Sequence, residues 1–102
     1  MKITITKEEK ELEIDCKNPR GKDTKKGMKL LFKAQKEDDG EGLETIQEYL
    51  DFLETITCKY TDLTVDFLDD LEIDEKNKLI TFYQEKVQSS FDFLKSSLTP
   101  AN

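Results

Sequence analysis

The spacing of apolar residues changes along this chain, from every second position to every third or fourth. That change dictates where strands end and helices begin. Ile3 and Ile5, then Leu12, Ile14 and Cys16, alternate with polar residues on either side of Lys7-Glu8-Glu9-Lys10. Period two around a polar turn is the pattern of a β-hairpin. An isolated hairpin is marginal in water, so its apolar face must rest on something else. After the turn at Asn18-Pro19-Arg20-Gly21 the spacing becomes helical.

Four helices are expected over residues 17–102, with the hairpin confined to 1–16, in one mostly α domain of α+β type. The first carries Met28, Leu31, Phe32 and Gln35 on one stripe with Leu30 and Ala34 beside it, capped by Asp23 or Thr24. Gly27 weakens its first turn by about 1 kcal/mol relative to alanine, and the glycines near Asp38-Asp39-Gly40-Glu41-Gly42 end it. The second, about residues 43–59, has two adjoining stripes: Leu43, Ile46, Leu50 and Leu53, then Tyr49, Phe52, Ile56 and Tyr60. Together they cover about half the circumference, wider than the ≳ 100° face that one core needs. Either helices pack on two of its sides, or part of the face meets another molecule. A short third helix follows Thr61-Asp62-Leu63-Thr64, with Phe67, Leu68 and Leu71 inward and Asp66, Asp69 and Asp70 outward. The fourth, about 75–97 and capped by Asp74, carries Leu79, Tyr83, Val87, Phe91, Leu94 and Leu98, flanked by Ile80 and Phe82. Phe93 falls off that stripe, and Pro100 closes the helical region.

Charge bounds what the chain can do. There are 16 basic and 23 acidic residues among 102, a net charge of −7. The sum hides a division: residues 17–36 hold eight bases against Asp23 (+7), whereas 37–75 hold fifteen acids against Lys59 (−14). The sequence contains no histidine, so it lacks the side chain most used for proton transfer near neutral pH and for metal binding. Cys16 and Cys58 stand far apart, without the further soft ligands zinc requires, and both are expected to be reduced. The acids at 37–41 are adjacent rather than alternate, unlike a calcium loop. An enzyme is therefore not expected, nor a cofactor. No run approaches the roughly 20 apolar residues of a membrane span, and the N-terminus lacks a continuous apolar leader segment.

Two surfaces stand out as candidate binding sites. Eight of the nine aromatic residues lie after position 48. Most are expected in the core, but Tyr49, Phe52, Ile56, Phe82 and Phe93 could supply part of an apolar groove for a partner's amphipathic helix. The lysines Lys22, Lys25, Lys26 and Lys29 form a second candidate. They lack the interleaved aromatic residues of a single-strand nucleic-acid platform, so nucleic-acid binding is not expected. Their complement is the acidic set Asp66, Asp69 and Asp70 on another copy. Such a head-to-tail contact builds rings or open filaments.

The stretch Leu43-Glu44-Thr45-Ile46-Gln47-Glu48-Tyr49-Leu50-Asp51-Phe52-Leu53, followed by Tyr60-Thr61 and Leu63-Thr64-Val65-Asp66-Phe67-Leu68-Asp69-Asp70-Leu71, resembles the tail assembly chaperones of long-tailed bacteriophages of Gram-positive hosts. The resemblance spans about residues 25–90. It implies a mostly helical protein that self-associates in ring or spiral form and shields the apolar helices of the tape measure protein. It also implies residence in the host cytoplasm and absence from the mature virion. The family brings no catalytic residues with it. The competing expectation, from the charge alone, is a small acidic regulator or inhibitor that binds a basic partner, with nucleic-acid mimicry as its physical rationale.

Overall fold

The computed structural model describes the backbone of residues 1–36 and 42–98 and the side chains of 1–34 and 45–93. The expected helix-breaking residues 38–41, and the side chains of Gln35, Leu43, Leu94 and Leu98, lie outside the described residues, whereas Gly42 already belongs to the second helix. Strands β1 (Lys2–Lys7) and β2 (Lys10–Asp15) pair antiparallel, with Ile3 opposite Ile14 and Ile5 opposite Leu12. The turn is tighter than the four polar residues suggest: Glu8 and Glu9 alone form it, both with positive φ (52° and 66°). Two left-handed residues in succession are the type I′ geometry whose twist matches a hairpin.

Helices α1 (Gly21–Lys36), α2 (Gly42–Thr61), α3 (Val65–Asp69) and α4 (Ile73–Leu98) follow. α1, α2 and α4 pack on one another. α1 runs antiparallel to α2, since Asp23 meets Lys59 while Gly27 lies against Phe52. It runs parallel to α4, since Gly27 lies against Val87 and Phe32 pairs with Phe91. The apolar face of the hairpin rests on this bundle, with Ile5 and Cys16 fully buried. Polar ties fix it there. The Thr6 N–H donates to Glu75 Oε1 at 3.0 Å, the Lys17 N–H to the Tyr60 carbonyl at 3.1 Å, and the Tyr83 hydroxyl to the Lys17 carbonyl at 2.9 Å.

Two helix starts differ from the expected ones. α1 opens at Gly21, because the Arg20 carbonyl already accepts from the Asp23 and Thr24 N–H groups. Thr24 instead donates to the Gly21 carbonyl, and Asp23 reaches across to α2. α4 likewise opens at Ile73, with the Glu72 carbonyl accepting from Glu75 and Lys76, so Asp74 sits inside the first turn. α3 starts as expected, capped by Thr64 accepting from the Phe67 N–H.

Asp23 accepts from the Tyr60 hydroxyl and pairs with Lys59 at 2.9 Å, while that same hydroxyl accepts from the Arg20 N–H at 3.0 Å. The Tyr60 hydrogen bond, helped by Lys59, holds the Asp23 carboxyl below its ordinary range. A carboxyl with a depressed folded pKa stabilises above its unfolded pKa and loses that contribution as pH falls through the folded one. Asp23→Asn should therefore lower the thermal midpoint above the ordinary carboxylate range and converge on the wild type as pH falls well below that range. Thermal melts across that range check the convergence, and a gap independent of pH would contradict it.

Candidate docking surface

The five apolar residues expected to line a groove do not share a surface. Tyr49, Ile56 and Phe82 are buried, joining Leu53, Leu79, Tyr83 and Val87 in the core. A partner cannot reach them without opening the bundle. Phe52 is half-buried with its ring against Gly27. Phe93 is 71% exposed. The reason is which residues of α2 turn inward: Tyr49, Ile56 and Tyr60 of one stripe and Leu53 of the other face the bundle, and Ile46 and Leu50 are left half-exposed one turn apart.

Phe93 instead lines a groove beside the basic helix. The parallel packing of α1 and α4 leaves an open groove of about 500 Å³ lined by Gly21, Thr24, Lys25, Met28, Ser89, Ser90 and Phe93. Met28 packs against the core from this side, and the tilted Phe32–Phe91 pair, with centroids 6.5 Å apart, lies one turn further along. Lys22, Lys25, Lys26 and Lys29 are exposed on the same helix, and none forms an ion pair among the described residues. At about 100° per residue, Lys25 and Lys29 border the Met28–Phe32 edge, while Lys22 and Lys26 lie further round. Apolar contact and positive charge thus occur side by side.

The acidic set on α3 is differently placed. Asp66, Asp69 and Asp70 point outward as expected, yet two of them are already paired. Asp69 Oδ1 lies 2.9 Å from Lys76 Nζ, which also holds Glu54 Oε1 at 3.0 Å. Asp70 Oδ2 lies 3.2 Å from Lys7 Nζ, which sits 4.6 Å over the Phe67 ring. Lys76 therefore joins the acids of α3 to those of α2. The Lys76 ammonium is held above its ordinary range, chiefly by Asp69.

The cysteines are not activated. Burial pushes both thiols up, and Glu54 and Asp69 push Cys58 further, so neither is poised as a thiolate. Among the described residues no group of acids and cysteines could hold a metal ion, and no helix is long and apolar enough to cross a membrane.

Comparison with family models, curated proteins and solved structures returned no match. The surface must speak through its own chemistry. The spacing marked Phe93 as an off-stripe residue and α2 as too wide for one core. It carried no sign that Phe93 and the lysines of α1 would adjoin, because that depends on α1 and α4 being neighbours. Ile46, Leu50 and Leu53 belong to one stripe by spacing, yet Leu53 is buried and Ile46 and Leu50 are half-exposed, a division the spacing does not show.

Proposed function

We propose that this protein holds an amphipathic helical client without chemistry, as a phage tail assembly chaperone that shields the tape measure protein and self-associates in the host cytoplasm. The observation that carries this reading is the groove between α1 and α4. It offers Met28 and Phe93 as apolar contacts and lysines at its border, which suits a helix with an apolar stripe and acidic flanks. The surrounding charge would keep a loaded complex in solution. The reading of the chain as a nucleic-acid mimic draws less support, because Lys76 and Lys7 already neutralise Asp69 and Asp70.

Phe93→Asp is the direct test. Because Phe93 is 71% exposed, the change should move the thermal midpoint little, as surface substitutions stay within about 0.5 kcal/mol. Co-expressed with the tape measure protein of the same phage, the variant should keep much less of it in the soluble fraction than the wild type does. Equal client solubility with the fold intact would remove the groove from the holding function.

A further inference from the structure

The groove and the bare face of α2 complement each other in shape and charge. Ile46 and Leu50 are each 48% exposed and stand one helical turn apart, the i and i+4 spacing with which a helix enters an apolar groove. The exposed acid Asp51 flanks them, about 100° around α2 from Leu50. The groove presents Met28 and Phe93 with Lys25 lining it and Lys29 at its border. Apolar faces apolar, and acid faces base.

We infer that the α1–α4 groove takes the Ile46–Leu50 face of α2 from a second copy of this chain. The two surfaces cannot meet within one molecule. Phe52 marks the side of α2 that faces α1, and Ile46 and Leu50 lie about 120° and 160° around the helix from it. The contact joins unlike surfaces, so each copy keeps one free groove and one free α2 face, and association continues head to tail. The acid that engages the lysines is Asp51 of α2, since Lys76 already holds Glu54 and Asp69 and Lys7 holds Asp70. Few apolar groups are involved, so each contact is weak and depends on concentration, below the size of a standard stable interface. Building on the proposed holding function, the same groove serves both occupants, and self-association and client holding exclude each other at any one groove.

The test uses the full chain and no client. Wild-type protein should grow in mass with concentration in sedimentation velocity, and high salt should suppress that growth by screening the lysine–acid pairs. Phe93→Asp blocks the groove and Leu50→Asp blocks the α2 face. Circular dichroism should show both folded, as each site is exposed. Each variant alone should stay monomeric at concentrations where the wild type associates. An equimolar mixture should form a discrete dimer that goes no further, since one intact groove meets one intact face. A monomeric wild type at high concentration, either variant associating like the wild type, or a mixture that stays monomeric overturns the inference. These outcomes are separate from client solubility, so the holding function can fail while this contact stands, or the reverse.

Discussion

Tyr83→Ala is expected to cost about 4 kcal/mol of folding stability, and Tyr83→Phe about 1–2 kcal/mol. Tyr83 is fully buried on α4 and joins three parts of the fold. Its ring stacks on Tyr60 of α2 with centroids 6.1 Å apart, and Phe82 stands edge-on to it at 4.8 Å. Its hydroxyl donates to the Lys17 carbonyl, where the chain leaves the hairpin. Alanine removes the ring and opens a cavity among residues that relax only partly. It also leaves the Lys17 carbonyl without this donor. Phenylalanine keeps the ring and gives up only the hydrogen bond. Burial pushes the Tyr83 phenol up, so it remains a donor at every pH where the fold is useful.

Urea unfolding separates the two contributions. The midpoint should fall modestly for Tyr83→Phe and steeply for Tyr83→Ala, with the slope unchanged in both if unfolding stays two-state. Small domains have only about 5–15 kcal/mol to lose, so the alanine variant should stand near the threshold of unfolding. Equal losses in the two variants would assign the contribution to the hydrogen bond instead of packing. A loss below about 1 kcal/mol in the alanine variant would mean that the bundle does not rest on this ring.

What could be read from the sequence depended on whether the deciding interaction was local. The hairpin follows from period two alone, and the α4 stripe through Leu79, Tyr83 and Val87 is the one that is buried. α2 shows the limit of periodicity. Its two stripes are equally helical, and what selects the Tyr49–Ile56 side is contact with α1 and α4, which spacing along one helix does not encode. The helix caps went the same way. Asp23 is a good capping residue by composition, but Tyr60 and Lys59, 37 and 36 positions away, take its carboxylate. The candidate site repeats this lesson. Phe93 stood out as an off-stripe residue, whereas its adjacency to Met28 and Lys25 arises from α1 and α4 running parallel, a property of the assembled bundle.

Gly27 carries the converse expectation, because a purely local argument gives the wrong sign. Alanine favours a helix over glycine by about 1 kcal/mol, so Gly27→Ala on an open helix face would stabilise. Here α1 comes so close to its neighbours that an added Cβ would lie 2.6 Å from a ring carbon of Phe52 and 3.0 Å from a methyl of Val87. Overpacking of this kind costs about 1–3 kcal/mol. The net result expected for Gly27→Ala is a loss of about 1 kcal/mol, and for Gly27→Val, which lacks the helix preference of alanine and adds two methyl groups, about 3 kcal/mol or more. Phe52→Leu in the Gly27→Ala background should recover part of the loss, since it removes the ring carbon that clashes, and the two changes should be non-additive in a double-mutant cycle. A stabilised Gly27→Ala protein would mean that Phe52 swings aside at no cost. Met28 and Lys25 ride on the same helix, so a Cβ that pushes α1 off the bundle also shifts one wall of the groove against Phe93. Gly27→Ala should then weaken self-association as well as folding, and sedimentation at fixed concentration would show both effects moving together.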